Sequence, residues 1–453
     1  MVLSSVFHGR RRTAVAVGVA VLIAAGATVY ATTSRDSEDT AVDVTFVLGG
    51  GTARKDSAAQ GGELAVTGQF RGLATGQDDT VYLFTEEDGG LVMWQRRKSG
   101  ATKRIPVSGM NGESAEQAAV APDGSVYLAT GSLWRVAPDG KAVQLVDVHC
   151  DTASPHDATL ETFCTNEITG VTVTRDGTVY FGDQIVFGGH SSFVHRIRGS
   201  RVELVAGRRP EPGESLDPRS NPAVRDGIDP RPGTLAKNVL VPAVWNSGWL
   251  ASDKDGLVWR TGQGIVRLRP DGTLSPLVAA RAPEKTEVPD RPLESMGRAV
   301  DAAVPPGQNT VIRGDLAVIA PRSEVFYSGG DRLYSPPFAE TYRWGGPLSA
   351  SQAKFAENLT AGKVVNRVAE GEVSPVIVGA QALAASDTSL YIAAEAKTED
   401  GRRLGLRRGE SPTSGGQGLT TARSTTEVGV EPPSGRLPGT RCRTAVSPLV
   451  RAR

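Results

Sequence analysis

The chain holds only five histidines and three cysteines, so the places where acid–base or soft-metal chemistry could sit are few. His190 and His195 flank the Gly188-Gly189 break. An imidazole titrates near neutral pH and suits proton transfer, which makes these two the candidate catalytic residues. The bland reading sits beside it: His195 occupies an ordinary strand position and His190 a loop. Four acids, Asp183, Asp253, Asp331 and Glu395, stand in or near short apolar hairpins. Carboxylates are hard oxygen ligands, and if these converged they would hold calcium or another divalent ion; singly, such residues are turn formers or solvated. Cys150 and Cys164 close a short loop and form a disulfide in an oxidising compartment, contributing about 3 kcal/mol. His149 and His156 lie close by, but the spacing matches no compact zinc motif. Cys442 stands apart as a free thiol. The Asp-Gly pairs beginning at Asp123, Asp139, Asp176, Asp255 and Asp271 are turn chemistry and are not counted as ligands.

Whole reaction classes are missing. There is no phosphate-binding glycine loop, no serine nucleophile elbow and no HExxH pair. Asn358-Leu359-Thr360 fits a glycosylation pattern without further support. With 50 basic and 50 acidic residues the formal charge is zero, which argues against nucleic acid as a partner. Gly is abundant at 53 and Met scarce at 4, which suits many turns and few long helices.

The elements that would position these side chains are read most clearly in Gly170–Gly207. Val171 to Val173, Thr178 to Phe181, Phe193 to Arg198 and Val202 to Val205 are four β-rich runs separated by Gly turns, the pattern of a four-stranded meander. Its inner hairpin recurs along the chain. The aliphatic–aromatic strand is found at Val81, Val126, Val179, Val258, Val325 and Leu390. Outer hairpins recur at Leu133 to Val146, Ile265 to Val278 and Val365 to Val378, with the alternation a half-buried strand requires. Several intervals exceed the ~40–50 residues of a four-stranded unit, and the surplus falls in surface insertions at about Arg208–Leu240, Arg281–Arg313 and Pro336–Gly362. Six such sheets arranged radially make an all-β, six-bladed β-propeller. The last unit lacks a strand. Val42–Gly50 has the character of Val202–Gly207 and supplies it, closing the ring.

The run Val202 to Gly207, the Asp226-Gly227 loop, Ala236, Leu240 and Pro242, then the hairpin leading to Arg267 and Pro270-Asp271-Gly272, resemble NHL repeats. The first unit keeps the same order from Phe46 to Gly50, through Gly61-Gly62 and Gln69. The resemblance spans roughly Val42 to Gly409. It departs after the inner hairpin, where Thr130-Gly131, Thr261-Gly262 and Ser328-Gly329 replace the usual loop. It implies a propeller that serves as a binding platform, and fold alone does not imply catalysis. Resemblance to other propellers sets the enzyme alternative: a divalent-metal-dependent hydrolase or lyase, gluconolactonase-like or streptogramin-lyase-like, with calcium or another divalent ion in the channel.

Arg10-Arg11-Arg12 precedes an apolar run from Ala14 to Ala31. As a helix the run is about 27 Å long, close to the ~30 Å bilayer core. The basic flank stays in the cytoplasm and the bulk lies outside. The segment is a signal anchor, or a signal peptide cleaved near Ala31, which would leave a secreted protein; its length favours the anchor. The expected organisation is a basic cytoplasmic segment over 1–12, the apolar segment over 13–32, a linker over 33–41, the propeller over 42–409 and a disordered tail over 410–453. The expected function is a membrane-anchored extracytoplasmic module with no cofactor. It would bind a protein or small-molecule ligand over the inserted loops, without catalysis.

Overall fold

The computed structural model describes residues 43–48, 66, 69–110, 114–148, 157–185, 191–242, 249–261, 264–278, 297–298, 316–334, 343–344, 362–398, 401–409 and 426–428. Strands are numbered along the chain. The first blade is β2 (Gln69–Thr75), β3 (Val81–Glu87), β4 (Gly90–Arg96) and β5 (Thr102–Pro106). The second is β6 (Gln117–Val120), β7 (Val126–Ala129), β8 (Leu133–Val136) and β9 (Ala142–Val146). The third is β11 (Glu167–Val173), β12 (Val179–Ile185), β13 (Ser191–Arg198) and β14 (Arg201–Ala206), with β10 (Ala158–Thr159) on its outer edge. The fourth is β15 (Leu250–Asp253), β16 (Gly256–Arg260), β17 (Ile265–Leu268) and β18 (Leu274–Val278). The fifth is β20 (Leu316–Ile319), β21 (Glu324–Tyr334), β23 (Gly362–Ala369) and β24 (Glu372–Ala380), edged by β19 (Gly297–Arg298).

These five are antiparallel meanders of consecutive chain. A further sheet joins the two ends. Its order outward is β25 (Ala382–Ala385), β26 (Leu390–Thr398), β27 (Gly401–Gly409) and then β1 (Asp43–Leu48), edged by β22 (Arg343–Trp344). β1 runs antiparallel to β27 with Val44 opposite Gly409 and Phe46 opposite Arg407. The expected closing strand over Val42–Gly50 is therefore in place. The innermost strands neighbour one another in the cycle β2, β6, β11, β15, β20, β25 and back to β2, which makes the fold an all-β propeller around a central channel.

Local chemistry explains the hairpins. In β8, Leu133 and Val136 are buried and Arg135 is exposed. Asp123, Asp139, Asp176 and Asp271 each accept the backbone N–H two residues on, at 2.9–3.1 Å, and Gly124, Gly140, Gly177 and Gly272 follow with positive φ. These are Asx-type turns, as the sequence implies. The core lies between blades. Leu73, Leu83 and Trp94 of the first blade pack on Ala384 and Tyr391 of the closing sheet, and Phe84, Met93 and Ile105 pack on Val126 and Leu128.

Outer edges are covered in a recurring way. The chain leaving one blade lays a bridge or short strand on the rim of the next: Ser108 on Lys141, β10 on β14, Leu235 on Thr273, β19 on β24. This removes the exposed ladder groups that would invite another chain.

The insertion over 208–240 differs from the surface loop expected of it. It carries a helix, α1 (Pro222–Ile228), capped by the Asn221 side chain on the Ala223 N–H at 2.9 Å, and its own core of Val224, Ile228 and Leu240. The apolar spacing Val224, Ile228 buries one helical face, which a Pro- and charge-rich composition hides. The tail also departs from expectation: within 410–453, β28 (Thr426–Val428) pairs with Arg402 to Leu404 of β27, beyond the stretch that β1 covers. An open strand edge is a strong template for such pairing. The segment Ala14–Ala31 lies outside the described residues, and among those described no helix is long and apolar enough to cross a membrane.

Candidate functional site: the central channel

All innermost strands run in one sense, so the first-to-second and third-to-fourth turns of each blade share a face, here the hairpin face. The links between blades and the second-to-third turns share the opposite, link face, from which all three insertions stem. The channel between them is a pit continuous with a cavity of about 680 Å³ that also runs out along the seam of the third and fourth blades, past Tyr180, Arg196, Val205 and Leu268; its size is within the usual range for small-molecule sites. Its wall is built from Val120, Val173, Leu250, Ala251, Val318 and Ala384, among other small aliphatic residues of the six inner strands.

Toward the link face the pit is lined by Gln117. This residue begins β6 and is 6% exposed. Its Nε2 donates to the Leu250 carbonyl at 2.5 Å, and its Oε1 accepts the N–H groups of Val171 at 3.1 Å and Leu250 at 3.0 Å. One side chain thus ties three inner strands, β6, β11 and β15, and satisfies backbone groups that the strand edges leave facing the channel. Toward the hairpin face the pit is open and polar. Arg175, in the turn after β11, reaches Asp387, in the turn after β25, at 2.5 Å. These strands stand opposite each other in the ring, so the ion pair is a bar across the mouth.

The sequence-derived candidates are placed apart. His195 sits on β13, two strands out from the channel, with 2% exposure. It is packed among Phe163, Phe181 and Phe193 at ring distances of 4.9, 5.3 and 6.2 Å. Its Nε2 lies 2.9 Å from Asp183 Oδ1, without hydrogen-bond alignment; that oxygen and His195 Nδ1 have no hydrogen-bond partner among the described residues. Thr165 donates to the other Asp183 oxygen at 2.7 Å. The result is an acid–imidazole contact inside a closed aromatic pocket, with the wall of β11 and β12 between it and the channel.

Asp253, at the end of β15, does line the pit, but its carboxylate is spoken for. Arg267 reaches it at 2.6 Å, Ser323 Oγ at 2.8 Å and the Lys254 N–H at 2.7 Å. Asp331 and Glu395 fall on β21 and β26, in other blades, with side chains outside the described set; His190 and Cys150 lie outside the described residues altogether. Among the described residues no three His, Cys, Asp or Glu side chains come together as a metal site would require. Cys164 is disulfide-bonded, and a sulfur in a disulfide is not a zinc ligand.

Sequence reasoning passed over Gln117, Arg175, Asp387 and Asp79. Asp79 belongs to the β2–β3 turn, is 2% exposed and has a positive φ of 65°. It accepts hydrogen bonds from Ser386, from Thr388 Oγ1 at 2.8 and 3.0 Å and from Tyr391 at 3.3 Å, and Lys98 stands 2.7 Å away. It clasps the first blade to the closing sheet. The available signals were slight: a lone amide opening the strand Gln117 to Val120, and an acid doublet, Asp78-Asp79, in a turn.

Elsewhere, burial holds the Glu167 carboxyl at the start of β11 above its usual range. Burial likewise raises the Tyr327 phenol, against a smaller opposing effect of the nearby Arg260 charge.

No protein-family model matches the chain, and no curated protein matches it in sequence. Solved structures resemble it in fold. A protein of unknown function from Bacteroides thetaiotaomicron is 10% identical, with a TM-score of 0.43, covering 82% of this chain and 76% of that one. A gluconolactonase from Xanthomonas campestris is 13% identical, with a TM-score of 0.38 and coverage of 76% and 87%. Virginiamycin B lyase from Staphylococcus aureus is 10% identical, with a TM-score of 0.37 and coverage of 80% and 97%. Such distances carry over no residue and no activity, and what stands for this chain is the β-propeller fold.

Proposed function

We propose that the chain is a membrane-anchored, extracytoplasmic binding module: a six-bladed propeller, with the composite sheet as its sixth blade, that takes a small molecule in its central pit. One observation carries this reading. The pit is the size of a ligand site and part of its wall is aliphatic, while the carboxylates that line it are held by partners within the fold: Asp253 by Arg267 and Ser323, Asp176 by Thr174 and Thr178, Asp387 by Arg175. The disulfide at Cys164 supports an oxidising compartment, in line with the basic and apolar N-terminal sequence.

The test is a thermal-shift screen of small organic molecules against the wild type and Ala385→Phe, which narrows the pit from the inner wall. Hits that raise the melting temperature of the wild type and not of the variant support the reading. Hits insensitive to the plug, or turnover of a lactone or ester abolished by a chelator, overturn it in favour of a metal-dependent hydrolase. A reporter fused after Gly409 that is active only in the cytoplasm would overturn the export assignment.

A further inference from the structure

The charges at the mouth are unevenly spent. Three carboxylates line the pit: Asp176, Asp253 and Asp387. Asp176 is held by Thr174 Oγ1 at 2.5 Å and by the Thr178 N–H and hydroxyl at 3.1 Å. Asp253 is neutralised by Arg267, and Asp387 by Arg175. Four cations line it as well: Arg175, Arg196, Lys254 and Arg269. Arg196 is taken by Glu203 at 2.7 Å. Lys254 and Arg269 make no salt bridge among the described residues, although the Arg269 charge helps to lower the exposed Asp271 carboxyl in the same turn. Both are exposed and both belong to the fourth blade. They are also neighbours: Leu257 pairs with Leu268, which sets the turn at Lys254 against Arg269, and the Cα of Arg269 lies 3.2 Å from where a side chain on Gly256 would begin. Asp255, the next residue of that turn, is exposed and does not line the pit.

We propose that the pit takes a small anionic amphiphile, with its apolar body directed toward Gln117 and its acid group at the mouth beside Lys254 and Arg269. The inference rests on the small-molecule reading above and names the chemistry and polarity of entry. Three features define the ligand. Toward the link face the lining ends at an amide, Gln117, whose donors and acceptors toward the inner strands are already bonded, so a polar group gains little there. The wall is mixed: Val120, Val173, Leu250 and Val318 supply apolar surface, interrupted by Thr172, Thr174 and Ser252, over an inner strand of about 13 Å for four residues. The bar between Arg175 and Asp387 divides the mouth and admits a slender molecule rather than a broad one. Entry is from the hairpin face, opposite to the inserted loops.

The experiment is calorimetric titration of the full chain in lipid nanodiscs with three probes of one shape: 4-phenylbutyrate, 4-phenylbutanol and 4-phenylbutylammonium. Saturable binding of the acid, weaker binding of the alcohol and none of the amine supports the proposal. So does loss of binding in Ala385→Phe, and weakening of the acid about tenfold, equivalent to roughly 1.4 kcal/mol, in Lys254→Glu with Arg269→Glu. That double variant alters exposed side chains only and leaves the fold intact, so it remains decisive where the plug variant fails to fold. Equal binding of all three probes, abolished by the plug, overturns the anionic preference and leaves the binding module standing. Binding of none by the folded wild type overturns both.

Discussion

At the scale of single residues, the least conspicuous side chain has the largest structural task. Gln117 makes three hydrogen bonds to the backbone of two neighbouring inner strands. Gln117→Leu keeps the volume and removes all three, at about 1 kcal/mol each, so a denaturant melt should show a loss of about 3 kcal/mol with the β signature retained. Asp183→Ala acts differently. It removes the carboxylate that accepts from Thr165 and faces the edge of His195 in a closed pocket, at about 1–3 kcal/mol. Because β11 and β12 separate that pocket from the channel, ligand affinity should stay unchanged; a large fall in affinity at unchanged stability would restore His195 as a functional residue. The sequence offered His195 and Asp183 as chemistry, and the structure shows why residue type alone misled. Three phenylalanines surround the ring, and only the pairing of β12 with β13 and the descent of the link through Phe163 reveal that enclosure.

At the scale of elements, the hairpins were legible because each is local: an apolar run, an Asp-Gly turn, another apolar run, all within reach of period-two alternation. The helix α1 was less legible, although Asn221-Pro222 is a cap followed by proline at the first helical position. What holds this insertion is a small ionic knot. Arg208 grips Glu214 at 2.5 and 2.7 Å, and Glu214 also accepts the Glu211 N–H at 2.8 Å and Asn221 Nδ2 at 3.0 Å. The Arg208 guanidinium, followed by the Glu211 N–H, pulls the Glu214 carboxyl down to about 2 from its ordinary 4.5. A depressed carboxylate stabilises the folded form above the unfolded value and loses that contribution as pH falls through the folded one. The insertion should therefore loosen between pH 4.5 and about 2, seen as a lower protection factor (exchange relative to the intrinsic rate at each pH) for the Leu240 N–H, which donates to Ala223. Glu214→Gln should abolish this pH dependence, and an unaltered profile in the variant would show that another group controls the segment.

At the scale of the whole molecule, function depends on closure. Arg175 and Asp387 are 212 residues apart in sequence and meet only because the ring brings β11 and β25 to opposite sides of one channel. No local pattern announces such a pair, which is why the hairpins could be read from the sequence and the mouth of the pit could not. The closing strand was readable for the opposite reason: the segment ending at Gly50 repeats the character of the one ending at Gly207. Closure is fixed a second time by Asp79. Asp79→Ala leaves Ser386 and Thr388 without their acceptor and Lys98 without its counter-charge, at about 1–3 kcal/mol. Limited proteolysis should then cut first between the first blade and the closing sheet; uniform destabilisation without a preferred cut would argue against a clasp.

The composite sheet also sets the order of events in time. Of the described strands β1 is made first, and its partner β27 follows after nearly all the rest of the ring. Local meanders can form in milliseconds or less, whereas this pairing has the widest sequence separation among the described strand pairs and must wait until β27 has been made. Until then β1 has only the two-residue strand β22 to pair with. A second nascent chain nearby would offer it the same vacant edge, so rapid, concentrated refolding should yield reciprocal domain-swapped dimers exchanging residues 43–48, and dilution before refolding should yield monomers.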